Sequence, residues 1–181
     1  MPLAPGYWTA DMVLALPEDG QRYEAVHGEL LVSPPPQPTH QRVAENLAFL
    51  LKRYCRAHGL GEVMSSPAAV SWNSSSLVQP DVFIVHPSQA GSSDWRSVTL
   101  VDLVVEVLSP STAHHDRTSK RRLYQDNGVG TLWLVDTDRR QVEEWTPDAR
   151  FPIIETARVT WHPVGVPEPL VIEIAEFFRA D

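Results

Sequence analysis

The sequence has few of the features that mark secreted or membrane proteins. Its single cysteine, Cys55, cannot form an internal disulfide bond, and nothing else indicates an oxidising compartment. No apolar run approaches the ~20 residues that a membrane span needs. The first six residues contain neither a basic segment nor an apolar segment, so we expect no signal peptide. These absences favour a cytoplasmic protein.

Positive charge is also scarce. The 181 residues carry a formal net charge of −8, which is not the charge expected of a strong non-specific nucleic-acid binder. The basic side chains are unevenly spread, however, and several crowd into the segment 117–122. An excess of carboxylates is also what a metal site requires, because a cation neutralises them when it binds.

The length and the hydrophobic content of 43% are typical of one globular domain, here residues 1–181. Apolar spacing predicts helices over 9–16, 39–58 and 111–127, and a short one near 175–178. Short β-branched or apolar runs predict strands, and the residues 73–76 between two of them predict a turn. The strands are expected at 22–26, 29–33, 62–65, 68–72, 81–86, 100–108, 131–136 and 141–145, with edge strands further on. The sequence therefore predicts an α/β (α+β) fold in which helices flank a central mixed β-sheet.

Two acidic residues lie in apolar strands, where burying a carboxylate costs free energy. Asp81 begins an apolar strand, and Glu106 lies inside the most apolar strand of the chain. A buried carboxylate needs a partner or a cation. Together the two could hold Mg²⁺ or Mn²⁺, which prefer oxygen ligands. Alternatively, Asp81 caps a turn and Glu106 pairs with an arginine.

A lysine follows on the next helix. Asp116, Lys120 and Tyr124 are four residues apart, so they share one helix face. From there the Lys120 ammonium could reach back over the strand end and stabilise charge that develops on a phosphate. Alternatively, Asp116 and Lys120 form an ordinary exposed ion pair.

Several of these segments, in this order, resemble the Uma2 family (DUF820) of restriction-endonuclease-like proteins. The strongest motifs are the run DLVVEVLSPST at 102–112, DRTSKRRLY at 116–124, and Gly128-Val129. Further similar segments are LPEDG at 16–20, RYEAVHGEL at 22–30, His40-Gln41, VQPD at 78–81 and LWLVD at 132–136. The similarity extends over nearly the whole chain.

The resemblance implies the PD-(D/E)XK nuclease fold, with Asp81 as the motif aspartate and Glu106 as the acid of the E-x-K element. Two residues after Glu106 stands Leu108 rather than lysine, and the resemblance to Uma2 proteins assigns the lysine role to Lys120. It also implies the Val107 carbonyl and Glu29 as further metal ligands or water-orienting groups. The implied chemistry is divalent-metal-dependent hydrolysis of phosphodiester bonds.

Other residues near these motifs have weaker predicted roles. His40 either contacts phosphate or forms a hydrogen bond at the helix start. Tyr124 either packs in the core or steadies the lysine. Arg117 and Arg121 either bind backbone phosphates or are simply solvated.

Two functions remain open from the sequence. The first is a Mg²⁺- or Mn²⁺-dependent DNA endonuclease, which we expect to be a homodimer because cutting both strands takes two sites. The second is a catalytically weak nucleic-acid-binding or regulatory module on the same fold, which the acidic charge favours.

Overall fold

The computed structural model describes residues 6–94 and 97–180. The N-terminal segment in which we expect no signal peptide therefore lies largely outside the described residues. The α-helices are α1 (Ala10–Leu14), α2 (Pro38–His58), α3 (Ala113–His115), α4 (Arg121–Asp126) and α5 (Ile174–Phe177). The strands are β1 (Arg22–Val26), β2 (Glu29–Ser33), β3 (Glu62–Ser65), β4 (Val70–Asn73), β5 (Ser76–Val78), β6 (Val82–Val85), β7 (Val101–Leu108), β8 (Thr131–Asp136), β9 (Gln141–Trp145), β10 (Ile153–Glu155), β11 (Arg158–Trp161) and β12 (Leu170–Glu173).

The centre of the fold is a six-stranded sheet in the order β10-β9-β8-β7-β6-β3. β7 and β8 run parallel, and the other neighbours are antiparallel. β7 is almost wholly buried, as its continuous apolar sequence predicts for a central strand covered on both faces. The expected central mixed sheet with flanking helices is confirmed.

One face of this sheet is covered by α2. The helix buries a stripe that includes Val43, Leu47, Leu51 and Tyr54, and this stripe packs on alternate residues of β6, β7 and β8. Gly59 adopts the left-handed conformation (φ 62°) and ends the helix, as the sequence predicts.

The opposite face is covered by the α4 region and by a smaller sheet in the order β2-β1-β5-β4. The hairpin β1–β2 turns at His27 and Gly28, both with positive φ, as a two-residue hairpin turn requires. Leu123 and Tyr124 of α4 are fully buried against Val104 and Leu108 of β7. β7 is therefore enclosed between α2 and α4.

Two local expectations were incomplete. The helix expected over 111–127 starts at Ala113 and contains a π-helical turn, Asp116–Lys120, between α3 and α4. The turn expected at 73–76 is followed directly by a short strand, β5, which the sequence did not predict. This strand forms because Leu77 and Val78 are buried when β5 pairs with β1 and β4. Within the described residues, no helix combines the length and apolar character needed to cross a membrane.

The α2 stripe should carry much of the stability. Leu47 is fully buried, so Leu47→Ala is expected to lower the free energy of unfolding by about 3 kcal/mol, because it leaves a cavity. Leu100→Ala, at a half-exposed leucine, is the control and should cost less than about 1 kcal/mol. Urea denaturation of both variants measures the difference. Equal losses would show that α2 does not form the main core.

Candidate active site

The two acids of the sequence prediction lie side by side. Val82 of β6 pairs with Val105 of β7, which places the next residues, Asp81 and Glu106, opposite each other at the end of the strand pair. The backbone N–H of Val107 donates to Oδ2 of Asp81 at 2.8 Å. Asp81 is only 6% exposed and Glu106 only 2%. Both carboxylates are therefore held inside the protein by the ends of neighbouring strands.

Cationic and imidazole groups surround Asp81. Arg22 of β1 donates from Nη1 to Asp81 Oδ1 at 2.9 Å, and His40 Nε2 at the start of α2 lies 3.1 Å from Asp81 Oδ2. Burial alone would raise the pKa of Asp81, but the His40 hydrogen bond and the Arg22 charge outweigh it and hold the pKa at about 2. Asp81 is therefore ionised throughout the neutral range.

Lys120 lies on the other side of Glu106, at the end of the π-helical turn. Its Nζ is 2.7 Å from Glu106 Oε1, 3.2 Å from Glu24 Oε1 and 3.3 Å from Asp116 Oδ1. Burial alone would lower the pKa of the ammonium, but the carboxylates, Glu106 first among them, raise it well above its ordinary value. Lys120 is thus a permanent, buried cation rather than half of an exposed pair.

Glu106 is in the opposite electrostatic situation. Burial raises its pKa to about 8, because Lys120 only partly offsets the desolvation and the charges of Asp116 and Asp81 act against ionisation. The hydroxyl of Tyr124 donates to Glu106 Oε1, and Tyr124 is fully buried. Tyr124 therefore packs in the core and steadies the carboxylate at the same time. At neutral pH burial therefore favours the protonated, neutral form of Glu106.

The sequence reasoning missed three members of the cluster: Arg22, Glu24 and, as a site residue, Asp116. Arg22 and Glu24 alternate with Tyr23 and so share one face of β1, Arg22 contacting Asp81 and Glu24 contacting Lys120. Glu24 also accepts a 2.8 Å hydrogen bond from the Gln79 backbone. The signal that identifies Glu106, an acid inside a strand, was present at Glu24 as well.

Glu29, the early acid suggested by the resemblance, is exposed on β2. It lines a small cavity of about 140 Å³ together with Glu24, Asp116 and Lys120. The structure therefore brings Glu24, rather than Glu29, into direct contact with the lysine.

The two arginines considered as phosphate contacts are engaged within the chain. Arg117 lies 2.9 Å from Asp136 and 2.7 Å from Glu143 through Nη2. Arg121 donates to the Arg117 carbonyl at 3.0 Å and stacks over the Trp145 ring at 4.5 Å. Both side chains hold the helical segment against β8 and β9.

Comparison with known proteins identifies the family and the fold. The sequence model of the Uma2 family, described as "Putative restriction endonuclease", matches residues 10–175. The chain belongs to the Uma2 family. No curated protein matches the sequence.

A solved structure shares the fold of this Uma2 protein. It is the crystal structure of a "putative nuclease belonging to DUF820" from Anabaena variabilis ATCC 29413. The two chains are 20% identical and superpose with a TM-score of 0.75, over 94% of this chain and 97% of the other. The resemblance stated from the sequence is confirmed at the level of family and fold.

The charges of the Uma2 site are unbalanced. Four buried carboxylates (Glu24, Asp81, Glu106 and Asp116) face the two cations Lys120 and Arg22, which leaves two negative charges when all four are ionised and His40 is neutral.

Carboxylate oxygens are the ligands that Mg²⁺ and Mn²⁺ prefer. In residues 6–94 and 97–180, no group of three or more His, Cys, Asp or Glu is arranged to hold a metal ion. Mg²⁺ commonly uses only one or two carboxylates and completes its shell with water and phosphate. The donor set at Asp81 and Glu106 fits that pattern.

The raised pKa of Glu106 predicts how stability changes with pH. Because the folded-state pKa lies above the ordinary value of 4.5, stability from this residue is present at low pH and is lost as the pH rises toward 8. One pKa unit corresponds to about 1.4 kcal/mol, so Glu106→Gln should gain ~2 kcal/mol or more relative to wild type between pH 5 and pH 8.5.

Urea denaturation in EDTA at several pH values measures this gain, with the exposed Glu18→Gln as the control. Parallel pH profiles for wild type and Glu106→Gln would show that Glu106 is ionised throughout, and would contradict the assignment.

Proposed function

We propose that this Uma2 protein is a Mg²⁺- or Mn²⁺-dependent endonuclease that hydrolyses phosphodiester bonds of DNA, with Asp81, Glu106 and Lys120 as its catalytic residues. The observation that supports this most strongly is the burial of a lysine and four carboxylates in one cluster at the end of the β6–β7 strand pair. A protein needing only stability gains little from such a cluster, because apolar residues of similar volume are often at least as stabilising.

The family supports the need for a metal, since restriction-endonuclease-like families generally use divalent ions. Asp81 and Glu106 would hold the ion, with the Val107 carbonyl as a further ligand and Glu29 acting through a water. Bound there, the ion would polarise the scissile phosphate and lower the pKa of a water molecule.

The role of Lys120 follows from its charge state. A lysine whose pKa is raised well above the ordinary value stays protonated, so it cannot accept a proton from water. Its ammonium instead donates hydrogen bonds to a negatively charged oxygen that develops on the phosphate, or orients the attacking water. Glu106 and Asp116, at 2.7 and 3.3 Å, fix the direction in which the ammonium lies.

His40 and Arg22 position the carboxylate of Asp81 in this proposal. Both contact its carboxylate and keep it ionised, so that it is ready to bind a cation. His40 is therefore a positioning residue in this proposal rather than a phosphate contact.

The alternative is a catalytically weak nucleic-acid-binding or regulatory module on the same fold. It is favoured by the contacts of Lys120, whose ammonium pairs with Glu24, Glu106 and Asp116, and by the net charge of −8. The homodimer and the cytoplasmic location expected from the sequence stay predictions.

Cleavage assays separate the two functions. Purified protein with Mn²⁺ is expected to cut a supercoiled plasmid or a single-stranded oligonucleotide. Asp81→Asn and Lys120→Met should each lower the rate about 100-fold or more, because each removes a charged group that acts on the phosphate. The exposed Asp138→Asn is the matched control and should cut like wild type. Folded variants, confirmed by thermal melting, that cut at the wild-type rate would contradict the nuclease assignment.

Metal binding can be measured separately from cleavage. In calorimetry with Mn²⁺, Glu106→Gln is expected to weaken binding at least tenfold, because it removes one of two carboxylate ligands. Glu29→Gln should weaken it much less, since Glu29 is exposed and acts through water. Unchanged binding in Glu106→Gln would remove Glu106 from the ligand set.

A further inference from the structure

Asp81 lies at the wall of a large cleft, and a ligand approaches its carboxylate through this cleft. The cleft has a volume of about 960 Å³, and Asp81, His40, Arg22 and Gln79 line it. Its walls are the exposed side of α2, the residues after α1 and the Pro34–Pro36 loop. A substrate phosphate that approaches Asp81 from this side must therefore enter the cleft.

The cleft carries an exposed aromatic ring. Phe49 of α2 is 63% exposed, and it lines the cleft about two and a half helical turns beyond His40. The guanidinium of Arg53 lies 5.8 Å from the centre of the ring. An exposed aromatic ring next to a cation is an arrangement on which nucleic-acid bases stack.

The charge of α2 is opposite to that of the whole protein. The helix has four basic residues (Arg42, Lys52, Arg53 and Arg56) and one acidic residue (Glu45), a net charge of +3 with histidine neutral. Lys52, Arg53 and Arg56 are exposed, and Lys52 lines the cleft. Lys52 lines the cleft about 18 Å along the helix from His40, and the acidic residues Glu18 and Glu45 line it as well.

The other basic segment cannot serve this purpose. Arg117, Lys120 and Arg121 are occupied by ion pairs and stacking inside the protein, and the exposed Arg122 does not line the cleft. Among the residues that line the cleft, the exposed cation is Lys52 of α2, and Arg53 follows it in the sequence.

The form of the cleft selects between paired and unpaired nucleic acid. Its volume is that of a small-molecule site. A duplex is stiff, with a persistence length of about 50 nm, so bending it to bring one phosphate into such a recess costs free energy that a flexible single strand does not incur. A single strand can enter with its bases splayed out.

We propose that the cleft between α1 and α2 binds an unpaired nucleic-acid strand, with a base stacked on Phe49 and phosphates paired with Lys52 and Arg53, and leads it to Asp81. This inference deepens the proposed nuclease function and rests on it for the fate of the strand. Binding itself does not require cleavage, so the two can fail separately.

The test measures the affinity of the whole protein for a fluorescein-labelled oligothymidylate by anisotropy, in EDTA at low salt. The same label on a blunt duplex and on an oligouridylate provides the comparison. The single strands should bind at least tenfold more tightly than the duplex, and the ratio of oligothymidylate to oligouridylate affinity shows whether DNA or RNA is preferred.

Two variants test the residues. Phe49→Ala should weaken single-strand binding about fivefold or more through lost stacking. The double variant Lys52→Gln with Arg53→Gln should reduce the slope of log affinity against log salt by about 1.4, because each phosphate contact on a single strand contributes about 0.7. The controls are Phe151→Ala, at a ring that is 83% exposed elsewhere, and Arg150→Gln with Arg158→Gln, which removes the same charge.

Equal affinity for duplex and single strand, or equal effects of the test and control variants, overturns the inference. If α2 binds the single strand as described but no nucleic acid is cut with Mn²⁺, the inference stands and the nuclease proposal fails. If Mn²⁺ supports cutting of blunt duplex as fast as of single strand, the nuclease proposal stands and the inference fails.

Discussion

The ammonium of Lys120 is buried among three carboxylates, and the rest of the site depends on this arrangement. Glu106, Glu24 and Asp116 come from β7, β1 and the π-helical turn, so one cation ties the large sheet, the small sheet and the helical segment together. Burial raises the pKa of Glu106, and the single charge of Lys120 offsets this only in part. The same ion cluster therefore organises the fold locally and, under the proposed function, supplies a carboxylate that would hold a metal.

Under the proposed function, the position of Lys120 accounts for the departure from the E-x-K pattern that the resemblance implies. The strand position two residues beyond Glu106 is occupied by Leu108, which is buried against the α4 side of the sheet. Here the lysine is instead Lys120 of the π-helical turn, and its ammonium contacts the Glu106 carboxylate. π-helical turns occur frequently at functional sites, and this one brings Asp116 and Lys120 together over Glu106. The π-helical turn thus provides the ammonium group, while Leu108 of the strand packs in the core.

The sequence predicted much of the fold and part of the site. The periodicity of α2, the hairpin β1–β2 and the apolar run of β7 are strong local signals, and the structure has them at nearly the expected residues. The burial cost of an acid in a strand singled out Asp81 and Glu106. Glu24 carries the same signal in a shorter strand, but its lysine partner is 96 residues away, a contact that only the folded chain reveals. The pairing of Arg117 with Asp136 and Glu143 is equally non-local, so its structural role could not be read from the helix alone.

The central claim is that the acidic pair Asp81 and Glu106 holds a divalent ion beside Lys120. Anomalous diffraction from crystals grown with Mn²⁺ tests it most directly. We expect a manganese peak within bonding distance of carboxylate oxygens of both Asp81 and Glu106, together with a shift of Lys120 toward the small cavity at Glu24. A peak elsewhere, or an unchanged cluster at saturating Mn²⁺ with Lys120 still between the carboxylates, would contradict it.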